Sequence, residues 1–200
     1  MMRLLRRYAR WLHTGWPGGT VEKLPLVEPD GRTNVPGLFI VGDLTGVPLL
    51  KFAADTGAAA AQLIASELAS SQRGGDQNCL DLAIVGGGVS GASAALEAKK
   101  LGLNFAVFEA SQSFSTLKNF PTGKAIFTYP TDMRHRGDLK FEHDFKEPLV
   151  TDLDAQLDSA GVVLRHGRIE RVVRQAGRLH LYLNQGSHHG AQVIQAHRVI

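Results

Sequence analysis

An α/β fold built on a parallel β-sheet is what this sequence predicts, and three features carry the prediction. Apolar runs at 82–85 and 105–108 flank a glycine cluster and a small-residue segment, which gives strand, tight turn, helix and strand at a spacing that suits a parallel βαβ unit. Glycine makes up 22 of the 200 residues, above its ordinary level of about 7%, and falls in clusters rather than singly. Beyond residue 160, the runs Val162–Leu164, Ile169–Val173, Leu179–Leu183 and Val193–Ile200 are separated by turn signals and read as a β-meander appended to the sheet.

Composition removes several classes of function. The chain is 44% apolar and 20% charged, an ordinary globular balance. Its net charge of +3 is outweighed by Arg3, Arg6, Arg7 and Arg10 alone, so the remainder carries no basic face and nucleic acid is not an expected partner. The lone cysteine, Cys79, allows no internal disulfide, no CxxC pair and no cysteine-based zinc site, so any redox chemistry must come from a bound cofactor. No apolar stretch reaches the length of a membrane span and no secretory h-region opens the chain, which makes a cytoplasmic location the expectation.

Along the chain, residues 1–34 form a basic arm and loop. Leu4, Leu5, Tyr8, Trp11 and Leu12 recur at helical spacing among arginines, so 1–13 reads as an amphipathic helix. Packing on a neighbouring segment is the preferred reading, with peripheral membrane contact as the other. Residues 35–69 supply a buried strand at 38–41 and an alanine-rich helix over 49–68, and 70–80 is a polar linker that includes Cys79. Residues 81–200 form the nucleotide-binding unit. Within it, 110–148 is a long loop punctuated by Pro121, Pro130 and Pro148, and a helix is expected over 149–160. The apolar run at Ile200 makes the unit read as incomplete at its end.

The turn Gly86-Gly87-Gly88-Val89-Ser90-Gly91 satisfies G-x-G-x-x-G between a strand and a helix. In that context Gly86 permits the tight turn, Gly88 lets backbone approach a pyrophosphate, and Gly91 allows helix and strand to pack closely; Val89 and Ser90 begin the helix whose free amides and dipole face the phosphates. Glu109 follows Gly91 by 18 residues at the end of the second strand. Its carboxylate suits the ribose hydroxyls of an adenosine and would repel a 2′-phosphate, which disfavours NADP at this site. The fold is therefore Rossmann-like, and the motif by itself leaves FAD and NAD both open.

A second motif, Val35-Pro36-Gly37-Leu38-Phe39-Ile40-Val41-Gly42-Asp43-Leu44-Thr45-Gly46 ahead of the helix at Leu49, breaks that tie. It resembles the flavin-closing motif of the pyridine nucleotide–disulfide oxidoreductase superfamily. The likeness to its thioredoxin-reductase-like and bacillithiol-disulfide-reductase-like members extends to Asn119-Phe120-Pro121-Thr122 and Phe127-Thr128-Tyr129-Pro130-Thr131. The resemblance implies an FAD-dependent oxidoreductase. Asp43 beside Gly42 would accept a hydrogen bond from the ribityl chain, and the helix beginning near Leu49, with Leu50 and Lys51 in its first turn, would face the pyrimidine end of the isoalloxazine; Lys51 would add a positive charge there, with a solvated surface lysine as the other reading. It further implies NAD(P)H as electron donor, bound outside this segment, and a small-molecule or protein acceptor; a homodimer is left open. The alternative is a non-catalytic dinucleotide-binding or sensing module.

Two departures from the superfamily stand out. The Gly-Asp motif precedes the glycine turn by 43 residues instead of following it. A circularly permuted flavin domain, with strand 38–41 beside strand 82–85, is the preferred explanation; the other is closure of a different domain. Nor does the helix after the turn, Ala92–Lys100, contain a cysteine. The histidines show no metal spacing, His188 and His189 read as a solvated turn, and Asp152, Asp154 and Asp158 read as an exposed helix face. No catalytic side chain is assigned.

Overall fold

The computed structural model describes residues 26–70, 78–184 and 192–200, so the helix expected over 1–13, most of the linker and the His188-His189 turn lie outside the described residues. Six strands form one mixed sheet. They are β1 (Cys79–Val85), β2 (Phe105–Glu109), β3 (Leu164–His166), β4 (Arg168–Gln175), β5 (Arg178–Asn184) and β6 (Gln192–Val199), in the spatial order β3-β2-β1-β6-β5-β4. The first four in that order run parallel, and β5 runs antiparallel to both of its neighbours, β4 and β6. The meander is thus continuous with the parallel sheet, because Gln195 of β6 pairs with Cys79 on one side and His180 on the other.

Strand alternation divides β1 between two cores. Leu82 and Ile84 face the helices with Val107, while Ala83 faces Phe108, Leu179, Leu181 and Ala196. The helices are α1 (Leu50–Ser70), α2 (Val89–Lys100), the short α3 (Ser115–Lys118) and α4 (Lys146–Ser159). Small residues let α1 cross α2 at backbone distance. A Cβ at Gly57 would lie 2.1 Å from the Ser90 carbonyl oxygen, and the buried Ser93 hydroxyl donates to the Ala54 carbonyl at 2.8 Å.

Four local expectations are corrected. Residues 38–41 form no full strand and do not lie beside β1. Leu38 makes an isolated parallel bridge to Val199, and the Phe39 N–H donates to the Val199 carbonyl, so this segment sits one strand further out, against β6. Its length of extended chain is cut short because Gly42 turns at φ +71°. The helix expected from 149 begins at Lys146 and takes Pro148 into its first turn, where no backbone N–H is required. Cys79 belongs to β1 and is buried there, outside the linker. Asp154 is not a free surface carboxylate: Lys118 pairs with it at 2.8 Å and Ser113 donates to it at 2.6 Å.

Glu67 near the end of α1 ties the 26–40 segment to the sheet. It accepts from Arg32 Nη2 at 2.6 Å and from Arg198 Nε of β6 at 2.9 Å. Burial alone would raise its pKa, but the hydrogen bonds and charges of Arg32 and Arg198 override burial and hold the carboxyl below its usual range. Because the folded value is the lower one, the contribution is complete above the ordinary glutamate pKa of about 4.3 and is lost as pH falls through the folded value. Glu67→Gln is expected to destabilise the chain by about 1 kcal/mol at pH 7. The difference in Tm from wild type should shrink on acidification, which thermal melts across pH will check.

Candidate functional site

The site is assembled where β1 ends. Gly86 adopts φ +108° and its N–H donates to the Phe108 carbonyl at 2.8 Å, which turns the chain out of the sheet at a conformation open chiefly to glycine. Gly91 is fixed by contact: a Cβ there would lie 1.9 Å from the Gly86 carbonyl oxygen. Gly88 is different. A Cβ there would meet nothing within 4 Å, and as N-cap of α2 this residue brings no side-chain acceptor to the first-turn amides. The arrangement leaves backbone donors and a helix dipole facing open space, which suits an anionic oxygen.

Glu109 braces the turn from behind. Its Oε2 accepts from the Gly87 N–H at 2.6 Å and its Oε1 from the Ser111 N–H at 2.8 Å. Burial pushes this carboxyl up, but the hydrogen bonds from Gly87, Ser111 and Ala110 outweigh it and keep the group below the usual carboxylate range. Oε1 also accepts from Ser111 Oγ at 3.1 Å, so the capacity left for a further donor such as a ribose hydroxyl lies on Oε2. Phe114, in the left-handed region at φ 51°, closes the same turn by donating its N–H to the Gly87 carbonyl at 2.9 Å. Nothing in the sequence marks Phe114 for that conformation.

From the other direction, the Gly42–Thr45 turn comes down onto α2. A Cβ at Gly42 would lie 2.0 Å from Ser90 Oγ, and the Gly42 N–H donates to Thr56 Oγ1 of α1 at 3.0 Å. Asp43, Leu50, Gly88, Val89 and Ser90 consequently line one cleft of about 350 Å³, walled by Phe114, Phe120, Lys124 and Phe127. A second hollow of about 420 Å³ adjoins it across Leu44, Gly88 and Ser90, and is bordered by Gly86, Gly91 and residues 169–172 at the start of the meander. The glycine turn therefore stands between two lobes at the carboxyl ends of β1 and β6, where open α/β sheets bind ligands.

The profile of the FAD binding domain family matches residues 81–185, more than half of the chain. This chain belongs to the FAD binding domain family. Bacillithiol disulfide reductase from Bacillus cereus is a structural relative at 21% identity and a TM-score of 0.52, over 60% of this chain and 38% of that one. The Staphylococcus aureus enzyme of the same name gives 17%, 0.51, 62% and 38%. An oxidised steroid monooxygenase bound to NADP gives 17%, 0.50, 60% and 25%. At these identities the likeness is one of fold, and the chain spans 38% or less of the length of these relatives. Comparison with curated protein sequences gives no match.

The residues of this FAD binding domain fit the group its family name implies. Gly88 leaves the open space that a pyrophosphate would need, and Asp43 lines the same cleft. Of the positions singled out in the sequence, Gly86, Gly88, Val89, Ser90, Gly91, Gly42, Asp43 and Leu50 converge here, with Glu109 behind the turn. Lys51 does not join them. Its Nζ donates to the Pro130 and Thr131 carbonyls at 2.6 and 3.1 Å, and it borders a separate hollow with Met133, Arg134 and His135. A larger hollow of about 540 Å³ around Asp30, Asp55 and Arg136 touches Thr45 but none of the glycine-turn residues 86–91. Among the described residues, no group of three or more His, Cys, Asp or Glu is arranged to hold a metal, and no helix is long and apolar enough to cross a membrane. The sequence assigned no role to Leu44, which lies within the Gly-Asp motif, or to Phe114 and Lys124, whose only signal was membership of the long loop after β2.

The two glycines separate folding from binding. Gly91→Ala is expected to destabilise the chain by roughly 2 kcal/mol through its clash with the Gly86 carbonyl, whereas Gly88→Ala should stay within about 0.5 kcal/mol of wild type. Chemical denaturation of the cofactor-free chain measures both.

Proposed function

We propose that this chain is the flavin-holding part of an FAD-dependent oxidoreductase that draws hydride from NAD(P)H bound outside this segment and passes electrons to a separate small-molecule or protein acceptor. One observation carries the reading: Gly42 lies against Ser90, so the Asp43 carboxylate and the phosphate-type turn share a cleft although 43 residues separate Asp43 from Gly86. A generic mononucleotide fold needs no such second element.

Bound FAD supplies the two-electron redox chemistry. The chain's own residues bind and orient. Gly86, Gly88 and Gly91, with the amides of Val89 and Ser90, would hold the pyrophosphate; Glu109 would take the adenine ribose and Asp43 the ribityl hydroxyls. The start of α1 at Leu50 brings the positive end of a helix dipole to the same cleft, a contribution of about 0.3–1 kcal/mol toward any negative charge there. Support for a nicotinamide donor comes from the steroid monooxygenase relative, which is itself bound to NADP. The second reading, a non-catalytic dinucleotide-binding module, draws on Cys79, a lone cysteine buried in β1 and unable to form a redox pair.

The purified protein is expected to be yellow, to release a compound of the mass of FAD on denaturation, and to bleach with NAD(P)H once the donor site is supplied. A colourless protein that binds NAD would decide for the second reading. Gly88→Val should abolish cofactor retention without unfolding the chain, and Asp43→Ala should weaken retention less severely; flavin occupancy by absorbance reads both.

A further inference from the structure

We propose that Lys124 is the cation that tunes the cofactor in this cleft and shifts the balance toward its reduced form, an assignment that rests on the flavin reading above. The position nominated by sequence for that charge, Lys51, is engaged by the carbonyls of Pro130 and Thr131 and borders a different hollow. Lys124 lines the cleft that contains Asp43, Leu50 and Gly88. Its Nζ stands 3.8 Å over the centroid of the Phe120 ring, another wall of that cleft, and among the described residues no carboxylate forms an ion pair with it. A cation–π contact restrains the ammonium without neutralising it, which a carboxylate partner would do.

The backbone beneath Lys124 is held from both sides. The Lys124 carbonyl accepts from the Lys146 N–H at 3.0 Å, the Lys124 N–H donates to the Pro121 carbonyl at 3.3 Å, and the Ile126 N–H donates to the Asp144 carbonyl at 2.7 Å. An isolated antiparallel bridge joins Ala125 to Phe145, directly before α4. The lysine is therefore presented by a loop anchored to a helix N-terminus.

Uptake of two electrons and one proton by a flavin leaves one net negative charge on its ring system. An ammonium at the wall of the cleft interacts more favourably with that charge than with the neutral oxidised ring. The dipole at the start of α1 acts with the same sign.

The test uses the full chain loaded with FAD, with midpoint potentials measured against a redox dye and dithionite as electron source. Lys124→Met is expected to reduce the preference for reduced over oxidised flavin about tenfold, a downward shift of about 30 mV for a two-electron couple, with little change in the affinity for oxidised FAD. Lys124→Arg should restore most of the potential, and Lys51→Met should lower the melting temperature while shifting the potential less than Lys124→Met does. Lys124 is exposed, so the variants are expected to fold; Lys124→Gln provides a second neutral replacement read in the same way. An unchanged potential in flavin-loaded Lys124→Met or Lys124→Gln overturns the assignment, as does a larger drop from Lys51→Met. A wild-type chain that takes up no flavin overturns the assignment and the functional reading together, which distinguishes that failure from the others.

Discussion

Close approach of three backbone segments at Ser90 is the constraint on which the site depends. Gly57 of α1 meets the Ser90 carbonyl, and Gly42 of the preceding turn meets the Ser90 side chain. A methyl group at either glycine would occupy space already filled by Ser90. The contact brings a carboxylate from one part of the chain to a phosphate-type turn in another. It also places the start of α1 at the same cleft as the start of α2, so two helix N-termini contribute potential of one sign to one cavity.

Within the glycine turn the positions divide their tasks by the space around them. Gly86 is needed for its dihedral angle and Gly91 for its contact with the Gly86 carbonyl, whereas Gly88 faces a void. The first two serve the fold, and the third has no structural reason to lack a side chain. That open space is what the proposed pyrophosphate site would use. Glu109 holds the Gly87 amide through Oε2, the oxygen with capacity left for the sugar hydroxyl proposed above. The hydrogen bonds that lower its pKa keep it charged through the physiological range, so it remains an acceptor throughout.

The sheet explains how one chain order accommodates the Gly-Asp motif ahead of the glycine turn. β6 is long enough to pair with β5 along one edge and with β1 along the other, and its last residue, Val199, receives the 38–39 segment on its free side. The entering segment thus reaches the carboxyl end of the sheet without displacing β1 from β2. Glu67 secures this corner through two arginines, one on the entering segment and one on β6. The family match covers residues 81–185, so the Gly42–Thr45 turn lies outside it, and its approach to Ser90 is seen only once the chain is folded.

The sequence by itself determined the βαβ unit, the glycine turn, the acid at its end and the strands of the meander, because each depends on local periodicity or on residues a few positions apart. It misjudged 38–41, where apolar character matched a strand but pairing depended on the edge of β6, and Pro148, where a proline that reads as loop sits harmlessly in the first turn of α4. Only the tertiary structure decided which cations reach the cleft. Lys51 and Lys124 are alike as sequence, yet one finds two loop carbonyls and the other an aromatic face. Partners some 80 residues away settle that difference for Lys51, and no local pattern encodes a contact whose geometry is set by how a long loop folds back over a helix.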